Sequence, residues 1–218
     1  MHRIGMKQFK TKSLWIFLLF VFLISHFISA HAMERVTVGF IPDGDTLRLS
    51  DGRWIRLMGI DAPEMGHGNQ RGSCGGDMAR QALVNLIGKK SVNLKTEGKD
   101  RHGRTLGKIY LENGLCINTE LIRLGMAWVY IHGKPDEDQK KWIDLQKKAI
   151  LQKKGIWKLM KKSSPVIANR RSYRFHLENC TFAKKINTRN RIYFASAEEA
   201  FAAGYAPARN CLPDPICP

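Results

Sequence analysis

Asp43-Gly44-Asp45-Thr46-Leu47-Arg48-Leu49-Ser50-Asp51-Gly52-Arg53-Trp54-Ile55-Arg56-Leu57-Met58-Gly59-Ile60-Asp61-Ala62-Pro63-Glu64 contains two short runs in which apolar and polar residues alternate. Leu47 and Leu49 mark the first, Ile55 and Leu57 the second. Asp51-Gly52 between them is a strong short-range hairpin signal. The other acids lie beyond both runs, so closing the hairpin brings Asp43 and Asp45 beside Asp61 and Glu64. Like charges gathered in this way are unfavourable without a cation or a titrating role to compensate them. Hard oxygen ligands of this kind suit calcium or magnesium. Arg56 falls between the two acidic groups, on the strand face opposite Ile55 and Leu57.

Outward from the hairpin, Arg35 to Ile41 reads as a preceding strand stopped by Pro42. Gly66 to Gly76 is a loop with five glycines and Cys74. Asp77 is placed to cap a helix with apolar positions Ala79, Ala82, Leu83 and Leu86, and Gly88 to end it. Val92 and Leu94 alternate in a fourth strand, a polar turn spans 97–104, and Leu106 to Leu111 is a fifth. Ile117 to Leu124 fits a short helix. Asp136 with Gln139 resembles a capping box opening a helix that reaches about Lys154, with Trp142, Leu145 and Ala149 on one face. Five strands with three interspersed helices predict a mainly β fold, a small closed antiparallel barrel of the OB type with packed helices.

The chain has 218 residues, 36 Lys+Arg against 19 Asp+Glu, and a formal charge of +17. That excess points to a polyanionic partner. Nine of the lysines fall between 140 and 162, most simply as a solvated face. Residues 1–32 have the form of a signal peptide: Arg3, Lys7, Lys10 and Lys12 precede an apolar run from Leu14 to Ile28 and the small-x-small sequence Ala30-His31-Ala32. Cleavage near Ala32 predicts an exported, secreted or periplasmic protein. An uncleaved segment is the one route to a membrane. Taking those four basic residues from +17 leaves +13. The expected organisation is an OB-fold domain over 33–160, a linker over 161–170 and a small α+β module over 171–218.

Phosphodiester hydrolysis needs a carboxylate to orient and deprotonate water. It also needs cationic groups for the charge that builds on the non-bridging oxygens. Asp45 and Asp61 are candidate metal ligands, Glu64 the candidate base, Arg56 one clamp and Arg104 a second. The sequence contains no competing Ser-His-Asp or Cys-His arrangement, and the 66–76 glycines make no phosphate-binding fingerprint.

The motifs Asp43-Gly44-Asp45-Thr46, Ile55-Arg56-Leu57, Gly59 to Glu64, Asp100 to Arg104 and Gly155-Ile156-Trp157, in that order, resemble the staphylococcal nuclease (thermonuclease) family over about residues 34–158. The resemblance implies a five-stranded OB barrel and calcium-dependent cleavage of DNA and RNA, leaving 3′-phosphate ends. Magnesium is the alternative metal, and no obligate protein partner is expected. Carried across, Asp45 and Asp61 bind calcium, Ala62 offers its backbone carbonyl, Glu64 is the base, Arg56 and Arg104 contact phosphate, and Asp43 supports the ligands from behind. Arg101 and His102 stand where the family's prototype has Lys and Tyr. Tyr130 or His132 stands in for a further substrate tyrosine. Two rivals are a non-catalytic nucleic-acid- or protein-binding barrel and an envelope-anchored interaction protein. The barrel rival is disfavoured because the whole carboxylate and arginine set is present.

Tyr173 to Cys211 is similar to a cysteine-bearing module appended to exported nucleases, and to the zinc module of the Ada DNA-repair protein. Ala208 replaces one of that pattern's cysteines. His176, Cys180 and Cys211 make three zinc ligands where a structural site takes four, with Cys217 at an unusual spacing. A Cys180–Cys211 disulfide is therefore expected rather than zinc, given the inferred export, with Cys74–Cys116 as a second bridge.

Overall fold

The computed structural model describes residues 33–66, 72–88, 91–161, 164–211, 214 and 216–217. The expected signal segment 1–32 lies outside them. Residues from Glu34 onward form one compact unit.

The hairpin forms where the alternation places it. Strand β2 (Thr46–Leu49) pairs with β3 (Trp54–Leu57) in the register Thr46↔Arg56, Leu47↔Ile55 and Arg48↔Trp54. Gly52, at φ 92°, turns the chain between them, a conformation open to glycine at no steric cost. Strand β1 (Glu34–Phe40) precedes the hairpin and pairs with β2. Strand β4 (Ile60–Asp61) follows it, then helix α1 (Gly76–Ile87), β5 (Ser91–Lys99) and β6 (Thr105–Tyr110). The barrel closes in the order β1-β2-β3-β6-β5.

One seam differs from the expected antiparallel barrel. β3 and β6 are parallel, with Ile55 opposite Thr105 and Leu57 opposite Gly107. These strands are separated in sequence by α1 and β5, so no tight hairpin imposes an antiparallel pairing. β5 is also longer than the Val92–Leu94 alternation indicates, running on to Lys99 with a register shift after Thr96.

Leu47, Leu49, Ile55, Leu57, Val92 and Ile109 fill the barrel interior. Each such side chain contributes about 1.5–3 kcal/mol when fully buried. Helix α1 covers the interior with Ala79, Leu83 and Ile87, and helix α2 (Ile117–Arg123) with Ile117 and Leu121. Gly75 in a left-handed conformation, not Asp77, precedes α1. Asp77 lies within the first turn, where its charge still complements the helix dipole. Strand β7 (Trp128–Val129) leads to helix α3 (Glu137–Leu151), which opens with the expected Asp136–Gln139 capping box. A 3-10 turn (Gly155–Leu159) ends this part.

The second sheet begins earlier than expected. Val166–Asn169, within the stretch read as a linker, forms strand β8. It pairs with β9 (Arg174–Leu177) and with β10 (Arg191–Phe194), and β11 (Ala206–Pro207) adds to β9 in parallel. Helices α4 (Thr181–Lys184) and α5 (Ala197–Ala202) complete the module, and Ser196 caps α5 by accepting from Glu199 N–H. Its apolar face does not close on itself. Phe175, Phe201, Tyr205 and Ile216 share a core with Trp128, Ile150, Ile156 and Trp157. The Phe201 ring meets Trp157 edge-on at 5.0 Å and Phe175 at 5.1 Å. Polar links add to this seam: the buried Gln146 amide accepts from Val129 N–H at 2.7 Å and donates to the Phe201 carbonyl.

The cysteines form two bridges. Cys180–Cys211 joins as expected. Cys74 bonds Cys217 rather than Cys116, which is free. Asp214 and Cys217 lie against Cys74 just before α1, where Asp214 accepts from the N–H groups of both Cys74 (2.8 Å) and Cys217 (3.0 Å). Cys116 is held elsewhere, in a bridge with Tyr110 at the entrance to α2.

Candidate active site

The open end of the hairpin gathers the four acids. Asp43 Oδ1 accepts from Asp45 N–H at 3.0 Å, fixing the turn that points Asp45 inward. Gly44 between them is required by packing, since a Cβ there would lie 2.6 Å from Ala79 Cβ on α1. Asp61 is placed by a strand pairing that has no signature in the sequence. β4 pairs with β7, Ile60 opposite Val129 and Asp61 opposite Trp128. The reversal between β3 and β4 passes through Gly59 at φ 75°, pressed against the Trp142 ring. Tyr130 N–H donates to its carbonyl.

Arg56 lies between the acids, as its place in the hairpin indicates. Nη1 donates to the carbonyls of Leu57 (2.7 Å) and Ile60 (2.8 Å), while Nη2 meets Asp61 Oδ1 at 2.6 Å and Asp45 Oδ2 at 2.9 Å. Asp45 Oδ2 also accepts from Ala62 N–H at 2.7 Å. Thr46 Oγ1 donates to Asp45 Oδ1 and accepts from Arg104 Nη1 at 3.4 Å, so the second arginine reaches the acids through one hydroxyl. The rest of Arg104 is fixed by Asp100, whose Oδ2 takes Nε at 2.7 Å.

Burial dominates the electrostatics. Removal from water pushes the Asp45 carboxyl up to about 6 against the pull of Arg56. It raises Asp61 as well, with Arg56 and Arg209 opposing. Burial works against the charged form of Arg56, but Asp45, Asp61 and Asp43 outweigh it and hold the guanidinium above its ordinary range.

Glu64 sits at the rim, its side chain about half exposed. Its partner comes from the C-terminal module: Arg209 bridges Glu64 Oε1 through Nη1 and Asp61 Oδ1 through Nη2 at 2.7 Å. Nothing local in the sequence ties Arg209, 145 positions away, to Glu64, so its place in the site is not expected from sequence. A second module arginine, Arg174, lies over the Tyr130 ring at 3.5 Å, and that ring meets His132 at 4.9 Å. Burial first, then the charges of Arg174 and Arg56, holds the His132 imidazole below its usual range. Arg101 and His102 occupy an exposed turn and bond to each other at 3.1 Å. Among the described residues, neither joins the acids by a hydrogen bond or ion pair.

The donor set fits a hard divalent cation. Asp61 Oδ2 is buried without a hydrogen-bond partner among the described residues, an arrangement that is costly unless something supplies positive charge. Oxygen ligands from Asp45 and Asp61 suit calcium or magnesium. In the module, a ring nitrogen of His176 and the sulfurs of Cys180 and Cys211 lie within 4.8 Å of one another, but the two sulfurs are bonded to each other and offer no thiolate to a metal. Cys217 is not a fourth, being bonded to Cys74.

Residues 54–159 match the family profile described as "Staphylococcal nuclease homologue". A protein named "Micrococcal nuclease" from Shigella flexneri is 35% identical over 145 residues, covering 60% of this chain and 77% of its own length. The chain belongs to the staphylococcal nuclease family. An "Uncharacterized endonuclease" of Escherichia coli is 37% identical over 118 residues, 53% of this chain and 71% of that protein. "Endonuclease YhcR" of Bacillus subtilis is 32% identical over 205 residues. That match takes in 81% of this chain, more than the barrel accounts for, and 17% of the relative. This staphylococcal nuclease homologue is a nucleic-acid hydrolase, and its closed five-stranded barrel is the OB-type fold expected of the family.

Proposed function

We propose that this nuclease is an exported, calcium-activated endonuclease acting on DNA and RNA and leaving 3′-phosphate ends. The observation that carries the reading is the buried, unpartnered Asp61 Oδ2 inside a cluster of four carboxylates threaded by Arg56. Asp45 and Asp61 would hold the cation, which when bound supplies positive charge for the non-bridging phosphate oxygens. Asp43 orients Asp45 through the Asp45 N–H. Glu64, at the solvent rim, takes the proton from the attacking water. Arg104, steadied by Asp100, presents its guanidinium toward the scissile phosphate. Arg56, already committed to two carboxylates and two carbonyls, keeps the acids spaced and lends charge from the side. The basic surface draws the polyanion in. The signal-like residues 1–32 and the two disulfides support export, since such bridges persist in oxidising compartments.

The test is cleavage of plasmid and of RNA in calcium, magnesium or EDTA, with product ends analysed before and after phosphatase. Calcium should support cleavage and EDTA abolish it, and Arg104→Ala should cut at least about 100-fold more slowly. The reading is abandoned if calcium gives no cleavage, or if Arg104→Ala cuts as well as the parent.

A further inference from the structure

Among the described residues, the C-terminal module reaches the acid cluster through Arg209, and the fold holds the backbone on both sides of that residue. Arg209 follows β11, which is paired to β9. Ala208 N–H donates to the Phe175 carbonyl and Cys211 N–H to the Ala208 carbonyl. Cys211 is bonded to Cys180 two residues further on. The strand beneath Arg209 carries Phe175, buried in the core shared with Trp128 and Trp157. Arg174 adds a second tie by lying on Tyr130. The backbone that carries the guanidinium is thus anchored just before and just after Arg209.

Its targets are the two carboxylates with the most chemistry to do. Nη2 takes Asp61 Oδ1, the same oxygen that Arg56 already holds at 2.6 Å, and Nη1 takes Glu64 Oε1. Arg56 cannot supply this second pairing, because its two Nη groups are spent on Asp45, Asp61 and two carbonyls. The forked guanidinium suits bridging two carboxylates, where an ammonium would act as a point charge. Burial opposes the charged form of Arg209, but Asp61 and Glu64 outweigh it and raise its proton affinity.

We propose that Arg209 is a further residue of the nuclease site, a guanidinium contributed by the C-terminal module that competes with the divalent cation for the carboxylates of Asp61 and Glu64. The proposal rests on the reading that these carboxylates serve the cation and the attacking water. Two positive groups drawn to the same oxygens repel each other. Whatever Arg209 gains by pairing there is subtracted from cation affinity, and cation binding loosens Arg209 by the same factor. The module thereby sets the cation concentration at which the site works.

The experiment is calorimetric titration of the full chain, stripped with EDTA and free of nucleic acid, with calcium and separately with magnesium. Arg209→Ala should bind cation about 10-fold more tightly than the parent. Arg209→Lys, keeping the charge but not the fork, should fall between the two. Arg189→Ala removes the same charge from an exposed turn of the same module and should stay within about twofold of the parent. Circular dichroism confirms that each variant is folded, and the calcium needed for half-maximal plasmid cleavage should fall in parallel with the dissociation constant. Equal or weaker cation binding by folded Arg209→Ala overturns the proposal while leaving a calcium-cleaving parent as a nuclease. If the parent neither binds calcium or magnesium nor cleaves with them, the reading of the site falls and the proposal with it.

Discussion

The hairpin carries an arginine–carboxylate cluster at each end, and the two behave in opposite ways. At the closed turn, Arg53 pairs with Asp51 and Glu34, and all three side chains are roughly 40–50% exposed. At the open end, Arg56 pairs with Asp45 and Asp61, whose side chains are 8% and 3% exposed. Hydrogen bonds from Arg53 hold Glu34 and Asp51 below the usual carboxylate range. Burial lifts Asp45 and Asp61 above it despite their arginine. The same residue types make a solvated ornament at one end and a strained charge store at the other. What separates them is the covering at the open end: α1 against Gly44, β7 against β4, and the C-terminal module over the rim.

The largest effect expected at the open end is catalytic. Glu64→Gln keeps the shape and removes the base, so cleavage in calcium should slow by about a hundred- to ten-thousand-fold. The melting temperature should barely move, since the side chain is half exposed. A normal rate for this variant would remove Glu64 from the chemistry and leave the cluster as a purely structural feature.

Next is the buried guanidinium. Arg56→Ala leaves Asp45 and Asp61 without their shared partner and frees two carbonyls, so urea unfolding in EDTA should show a loss of about 3–5 kcal/mol. A loss no larger than that of an exposed pair would erase the contrast between the two ends.

How far the site was legible depends on how local its causes are. Leu47, Leu49, Ile55 and Leu57 alternate within a few residues of Asp51-Gly52, so the hairpin and its inward face follow from strand periodicity, and closing it brings Asp45 toward Asp61. The capping box at Asp136 is equally local. The pairing of Asp61 with Trp128 left no trace, because a two-residue strand has no period to detect. Strand β8 was hidden by its position after Ser164-Pro165, a linker-like pair. Cys74 and Cys217 are 143 residues apart, and Arg209 is 148 from Asp61. Contacts of that kind exist only once the shared aromatic core has formed.

The third expectation concerns pH. The Asp45 carboxyl moves from 3.8 to about 6 on folding. At about 1.4 kcal/mol for each tenfold change in proton affinity, that amounts to about 3 kcal/mol. Because the folded value is the higher one, the contribution is fully present below about pH 4 and is lost as pH rises through 6. In EDTA, the parent should therefore lose stability relative to Asp45→Asn between pH 4 and pH 7, and calcium should restore it at pH 7.5. Parallel stability profiles for the two proteins would show that Asp45 ionises without strain.

At the closed turn the expected effect is the smallest. Arg53 reaches Glu34 with Nη1 at 2.8 Å and Nη2 at 2.6 Å, and Asp51 with Nε at 2.8 Å. The geometry is good, yet water competes for every one of these atoms and salt screens the charges. Arg53→Ala should melt at the temperature of the parent and cleave at its rate. The change should instead appear in the titration of two side chains followed by carboxyl NMR shifts: Glu34 and Asp51 should rise toward ordinary values once Arg53 is gone, as should the parent's on adding salt to about three times physiological strength. Depressed carboxyls contribute stability only above their free values and lose it as pH falls through the folded ones, so any trace of the effect should fade in acid. That is the reverse of the Asp45 dependence. If Arg53→Ala were instead to lower the melting temperature as Arg56→Ala does, good geometry alone would be enough to make a pair matter, and the coverings of the open end would not explain its difference.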